Sequence, residues 1–213
     1  GLCRGDAMCY RFRMLLAGLT GGIATGKSTV SRLFVECGAC LIDADVLARE
    51  AVAPGHHALQ QIVEAFGREM LGPDGTLDRD RLGRTVFADA GRLARLNAII
   101  HPLVAIEQER RCKEIAAQAP HAVVIYDAAL LIEAGAHQRM GKIIVVTADE
   151  QTQLARLKAR NHLSAGEARK RVAAQMPLVD KVKLADYVID GTLPLDKLRT
   201  EVQRIYDDLT HQA

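Results

Sequence analysis

Short apolar runs alternate along the chain with segments of helical periodicity. The runs are Leu15-Leu16-Ala17-Gly18-Leu19, Ala39-Cys40-Leu41-Ile42, Ala122-Val123-Val124-Ile125-Tyr126, Lys142-Ile143-Ile144-Val145-Val146-Thr147 and Ala185-Asp186-Tyr187-Val188-Ile189-Asp190. Each is four to six residues long, too short for a buried helix, so they read as strands. Thr29 to Glu36 reads as a helix stopped at Gly38, and Val46 to Ala53 resumes helical character. Ala58, Leu59, Ile62, Val63 and Phe66 recur at helical spacing, as do Leu82, Val86 and Phe87, then Leu93, Leu96, Ile99 and Ile100. Gly72-Pro73-Asp74-Gly75 marks a turn among them. Pro102 is expected at the start of a helix running from Leu103 to Ala117. Later helices are expected from Gln151 to Arg160, from Glu167 to Gln175, and from Leu195 to Leu209, the last with Leu198, Val202, Ile205 and Leu209 on one face.

Strands alternating with helices predict a parallel sheet covered on both sides. The fold class is therefore α/β: three layers, α/β/α, around a parallel five-stranded sheet. The helical stretch 54–119 is too long for a simple crossover and reads as a substrate-binding insertion. Residues 14–213 then form a single domain, with its core at 14–53, 120–155 and 184–213, the helical subdomain at 54–119 and a lid region at 156–183.

Composition adds little until charge is mapped. The chain has 213 residues, 49% of them apolar, enough for a sizeable core. A net charge of +2 gives no case for a nucleic-acid partner. Residues 156–183, however, carry Arg156, Lys158, Arg160, Arg169, Lys170, Arg171, Lys181 and Lys183 against Glu167 and Asp180, a local +6 that leaves −4 for the rest. This run reads as a phosphate clamp. The five cysteines are Cys3, Cys9, Cys37, Cys40 and Cys112; Cys37 and Cys40 have two residues between them but no second pair follows, so a zinc site is not expected and a reducing cytoplasm fits. No apolar run approaches a membrane span. The first thirteen residues are basic and irregular. They read as a disordered extension, either an expression remnant or an upstream start, with Met14 a plausible first residue.

The chemistry begins at Gly21-Gly22-Ile23-Ala24-Thr25-Gly26-Lys27-Ser28. A glycine, four residues, then Gly-Lys-Ser between a strand and a helix is the phosphate-binding loop pattern. Its backbone N–H groups cradle phosphate oxygens, and the following helix adds its positive end. The loop is thus expected to hold a nucleotide's phosphates, with Lys27 on the β- and γ-phosphates and Ser28 on Mg²⁺. Asp127, ending an apolar strand, is the second candidate Mg²⁺ ligand. Asp43 and Asp45, two apart at the end of a strand, would share a face toward the ligand crevice, unless they are helix caps. An acceptor hydroxyl needs a carboxylate to take its proton. Asp45 is preferred for this, with Asp43 the other candidate. Arg156 and Arg160, four apart on one helix face, suit an arginine-bearing lid that closes over the nucleotide. His101 is read as a cap or core residue on one side, a ligand on the other.

Leu19-Thr20-Gly21-Gly22-Ile23-Ala24-Thr25-Gly26-Lys27-Ser28 and Ile42-Asp43-Ala44-Asp45 resemble the opening motifs of the dephospho-CoA kinase family. His101-Pro102, Leu130-Leu131-Ile132-Glu133, Arg171 to Gln175 and Ala185-Asp186-Tyr187-Val188-Ile189 resemble its later ones, in the same order. The resemblance covers about Met14 to Leu209. It implies a P-loop kinase with a nucleotide core, a helical CoA subdomain and a lid. It also implies transfer of the ATP γ-phosphate to the ribose 3′-hydroxyl of dephospho-CoA, the last step of coenzyme A synthesis. Asp45 would be the base, Gly22 to Thr29 would bind ATP, Arg156 and Arg160 would be lid arginines with Arg171 a lesser candidate, and Arg81, His101 and Glu133 would lie toward the acceptor. Two positions depart from the family pattern: Ala129 stands where proline is usual, and Gly191 where asparagine is frequent.

Three other readings are weighed. Another small-molecule or nucleoside monophosphate kinase shares the core argument and differs in acceptor. A GTP-dependent switch would need an Asn-Lys-x-Asp motif, which the chain lacks. A nucleic-acid-binding ATPase would use the 156–183 arginines, but no aromatic platform accompanies them. The expectation is a monomer or weak homo-oligomer with no nucleic-acid or membrane partner.

Overall fold

The computed structural model describes residues 14–87, 89–161 and 164–213. The expected disordered extension, with Cys3 and Cys9, lies outside the described residues. The chain divides into two compact units. One runs up to Ile42 and resumes over Cys112–Ala213; the other is Asp43–Arg111.

The first unit holds five strands: β1 (Leu15–Gly21), β2 (Cys40–Asp43), β3 (Val123–Asp127), β4 (Lys142–Thr147) and β5 (Tyr187–Asp190). They lie in the order β2-β3-β1-β4-β5, and β1 pairs in parallel with both β3 and β4. The central strands are buried on both faces, β3 along its whole length, as expected of a parallel sheet between helices. Leu19 is in register with Asp127 on one side and Ile144 on the other. The carboxyl end of β1 therefore opens beside that of β3, which sets the site.

Two helices cover the sheet on one side: α1 (Lys27–Cys37) and the closing α9 (Leu195–Gln212). Val30, Leu33 and Phe34 of α1 pack with Leu198, Val202, Ile205 and Leu209 of α9 against Leu19, Ile144, Val146 and Ile189. The α9 face is the one its four-residue spacing implied. Each such fully buried side chain contributes roughly 1.5–3 kcal/mol. α1 ends at Gly38, whose φ of 110° is left-handed and lets its N–H return to Val35.

The second unit contains α2 (Ala44–Ala51), α3 (His57–Phe66), α4 (Arg79–Phe87) and most of the long α5 (Ala90–Gln118). Val52, Ala58, Ile62, Met70, Leu82 and Val86 form its core, with Leu93, Leu96, Ile99, Ile100 and Leu103 against them. These are largely the residues whose periodicity predicted helices. Pro102 departs from expectation: it lies inside α5, not at a start. The expectation rested on the missing N–H, which costs nothing in a first turn. Here Ile99, Ile100 and Leu103 pack on both sides of the proline, and that packing carries the helix across the lost hydrogen bond.

The remaining helices are α6 (Glu150–Asn161), α7 (Ala165–Ala173) and α8 (Leu178–Val182). Ser164 and Glu167 close a capping box at the start of α7. Five-residue α8 is too short to show a period in the sequence.

Candidate active site

The phosphate loop folds as its glycines and hydroxyls require. Thr25 turns back on Gly22, its N–H and its Oγ1 both donating to the Gly22 carbonyl at 3.3 and 2.9 Å. Gly26 takes φ of 99°, a region closed to most side chains. Its carbonyl accepts from Thr29 and Val30 at 2.9 and 3.3 Å, starting α1. No side chain caps that helix, and an uncapped helix start is where backbone N–H groups can take an anion. Ser28 is exposed in the same turn.

Lys27 Nζ is paired with Asp127 Oδ1 in a short charge-assisted contact. The parallel register of β1 and β3 is what brings the loop lysine beside the strand-end aspartate. Both side chains are largely buried, at 17% and 8% exposed.

Next to this, α6 holds the loop's backbone. Gln153, 4% exposed, donates from Nε2 to the Ile23 carbonyl at 2.7 Å. Arg156 donates to the Ala24 carbonyl at 3.2 Å and to the Gly191 carbonyl at 2.9 Å. The sequence placed Arg156 in a lid; here its guanidinium joins the loop to the turn after β5. Arg160 is exposed and donates to Asn161 Oδ1 at 3.1 Å. Arg169, Lys170 and Arg171 are exposed on α7.

Lys181 corrects the reading of the basic run as one phosphate clamp. It is fully buried and cannot face a ligand from the surface. Its ammonium pairs with Glu133 at 2.9 Å and donates to the Ala129 carbonyl at 2.9 Å. Glu133 also accepts from the Met176 N–H at 3.2 Å. The Ala129 carbonyl takes a further bond from Thr20 Oγ1 at 3.1 Å. Position 129 thus contributes through its backbone, which alanine supplies as proline would. At Gly191, a Cβ would lie 1.9 Å from the Thr25 carbonyl, so this chain's loop geometry excludes a side chain there. Sequence reasoning missed Gln153, Gln175 and Lys181 as structural partners. Gln175, expected as the last residue of a helix, lies beyond the end of α7 and accepts from the Ile23 N–H.

Asp43, Asp45, Arg81 and His101 belong to the second unit. Asp43 and Asp45 do not share a strand face. Asp43 is the N-cap of α2, its Oδ1 accepting from the N–H groups of Asp45 and Val46 at 2.8 and 3.2 Å. Strand alternation ends at Asp43 because a helix starts there, and Asp45 is left exposed in its first turn. Asp43 thereby fills the capping role, and the Asp45 carboxylate is the one in solvent. Arg81 donates to the Glu69 carbonyl at 2.7 Å and pairs with Asp78 at 3.4 Å. His101 is exposed on α5.

For a divalent cation, the described residues contain no cluster of three or more His, Cys, Asp or Glu side chains. Mg²⁺ bound with a nucleotide needs no such cluster: it takes one or two protein oxygens and fills its shell with phosphates and water. Ser28 and Asp127 are oxygens of that kind.

A phosphate loop after the central strand of a parallel sheet, with an acidic strand end beside it, defines the class of P-loop nucleotide-binding proteins. Comparison with known proteins narrows this. The model of the dephospho-CoA kinase family matches residues 15–195. A dephospho-CoA kinase of Streptomyces avermitilis is 49% identical over 201 residues, covering 94% of this chain and 96% of its own. One of Geobacter metallireducens is 49% identical over 196 residues, covering 92% and 96%. A Thermus thermophilus protein of known crystal structure is 32% identical, with a TM-score of 0.77 and coverage of 91% and 97%. The dephospho-CoA kinase of Campylobacter jejuni, at 24% identity and a TM-score of 0.69, shares the fold over 93% of this chain and 98% of its own. The chain belongs to the dephospho-CoA kinase family.

Proposed function

We propose that this protein transfers the γ-phosphoryl group of ATP to the ribose 3′-hydroxyl of dephospho-CoA, giving coenzyme A and ADP. The observation that carries this is the family match along 15–195 over an intact phosphate loop. The loop N–H groups and the first turn of α1 bind the nucleotide's phosphates. Lys27 follows the transferred group, stabilising the charge that develops on its oxygens. To do so it exchanges Asp127 for phosphate when the nucleotide enters. Ser28 and Asp127 would hold Mg²⁺, which supplies further neutralisation of the phosphate charge when bound.

Asp45, whose carboxylate is exposed and spared the capping role, takes the proton of the 3′-hydroxyl. Arg160 neutralises phosphate charge from α6, while Arg156 acts through the loop carbonyls it holds. Asp43, Arg81 and His101 serve the acceptor side. Glu133 anchors Lys181 and Met176. The second unit has two clefts, of about 510 and 480 Å³, in the range of small-molecule sites, and we assign the acceptor to this unit. No described helix is long and apolar enough to cross a membrane, and we place the enzyme in the cytoplasm as a monomer or weak homo-oligomer.

The test is product analysis with Mg-ATP and dephospho-CoA, using the wild type and Asp45→Asn. The wild type is expected to add one phosphate at the 3′-position. The variant is expected to slow transfer by about 10²–10⁴-fold while binding ADP within about threefold of wild type. A wild type without 3′-phosphorylated product contradicts the function; a variant with normal turnover moves the base to Asp43 or elsewhere.

A further inference from the structure

The first half of the phosphate loop does not rest on its own strand and helix alone. Ile23 is held on both sides by amide side chains from elsewhere in the unit. Its N–H donates to Gln175 Oε1 at 2.7 Å, and its carbonyl accepts from Gln153 Nε2 at 2.7 Å. Ala24 follows with φ of 60°, a left-handed conformation that is strained for a non-glycine residue. A strained residue persists where its surroundings over-determine it. Here Arg156 holds its carbonyl, and the two glutamines fix the residue before it.

The two glutamines come from different supports. Gln153 is in α6. Gln175 sits two residues beyond the end of α7, next to Met176, whose N–H is bound to Glu133, and just before α8, which carries the buried Lys181. The 175–181 segment is therefore fastened to the stretch after β3 through Glu133 and the Ala129 carbonyl. That gives Gln175 a rigid base from which to hold the loop.

We propose that Gln175 and Gln153 act as a pair of positioning residues that set the Ile23–Ala24 backbone, and with it the phosphate cradle, through hydrogen bonds rather than packing. Neither needs to touch the nucleotide. Through Gln175, the end of the basic helix α7 is tied to the loop, so the position of α7 and the shape of the cradle are linked. The inference deepens the kinase reading and rests on it for its catalytic readout.

The experiment compares Gln175→Met, Gln153→Met and the double variant with wild type. Methionine keeps length and bulk but offers the Ile23 N–H no oxygen and its carbonyl no N–H. Three quantities are read: kcat and KM for dephospho-CoA at saturating Mg-ATP, the Kd for ADP by titration calorimetry, and the thermal midpoint. Each single variant is expected to lower kcat and raise the ADP Kd by roughly tenfold, about 1.4 kcal/mol. The KM for dephospho-CoA should stay within about twofold of wild type. The double variant should lose less than the product of the single losses, because both bonds serve one residue. Singles with wild-type kcat and ADP affinity overturn the proposal, as do losses that track only the thermal midpoint or that multiply independently. The ADP titration needs no acceptor. It therefore judges the glutamines even if wild type fails to phosphorylate dephospho-CoA, a result that would count against the kinase reading alone.

Discussion

Lys27 and Gly191 show how single positions in this site are constrained from opposite directions. Lys27 is paired with the Asp127 carboxylate, and the proposed mechanism gives it the nucleotide's phosphates as a second anion. Lys27→Ala is expected to reduce turnover by about 10²–10³-fold and also to lower stability, because a carboxylate only 8% exposed loses its ammonium. Steady-state rates and thermal melts on the same preparation check both; near-normal turnover would remove Lys27 from the transfer step. Gly191 is constrained by space. A methyl group there meets the Thr25 carbonyl and Val146, so Gly191→Ala should destabilise by about 1–3 kcal/mol and weaken ADP binding by displacing the loop. Chemical denaturation and calorimetry read this; an unchanged ADP affinity would show that the loop tolerates the shift. Lys27, Ser28 and the loop glycines were legible in the sequence because their chemistry is local, eight consecutive residues with fixed spacing. Gln153, Gln175 and Lys181 were not. Their partners lie 130, 152 and 48–52 residues away, and a polar residue in a basic stretch gives no sign of which distant group it will meet. Asp43 was ambiguous for another reason: a carboxylate at a strand end that is also a helix start satisfies both patterns, and only the hydrogen bonds to Asp45 and Val46 separate them.

At the scale of elements, strands and amphipathic helices followed from the hydropathy pattern, since burial on both faces demands continuous apolar runs. Pro102 within α5 and five-residue α8 did not, because tertiary packing decides the first and length hides the second. The second unit carries a pH response in its longest helix. Glu107 is hydrogen-bonded by Arg110 at 2.8 and 2.6 Å and by Arg111 at 3.0 Å. The Arg110 hydrogen bond, the largest influence, with those of Arg111, lowers its carboxyl from 4.5 to about 2. The reciprocal bond from Glu107 raises Arg111, which also pairs with Glu50 at 2.5 Å. A carboxyl lowered by folding stabilises the fold above its unfolded value and loses that contribution as pH falls through the folded one. Stability from this cluster should therefore be complete above pH 4.5 and fade toward about pH 2. Urea unfolding of Glu107→Gln is expected to show a shallower acid decline than wild type across that window. Parallel declines would assign the cluster no net role.

Across the whole molecule, the residues given roles in the proposed transfer are spread over two compact units. One carries the phosphate loop, Lys27, Asp127 and the α6 arginines; the other carries Asp45, Arg81 and His101. The stretch 54–119 reads as helical in the sequence because it breaks the strand–helix alternation, and α3, α4 and α5 lie within it. Its acceptor was not legible, since helical periodicity reports a core and not a ligand; that assignment comes from family membership. Phosphorylation of dephospho-CoA is read from ADP release with Mg-ATP, run against dephospho-CoA, AMP, CMP, UMP, adenosine and water alone. Strong stimulation by dephospho-CoA and little by the others is expected, with one new 3′-phosphate per ADP released. Stimulation by a nucleoside monophosphate instead, or release independent of any acceptor, would contradict the proposed function.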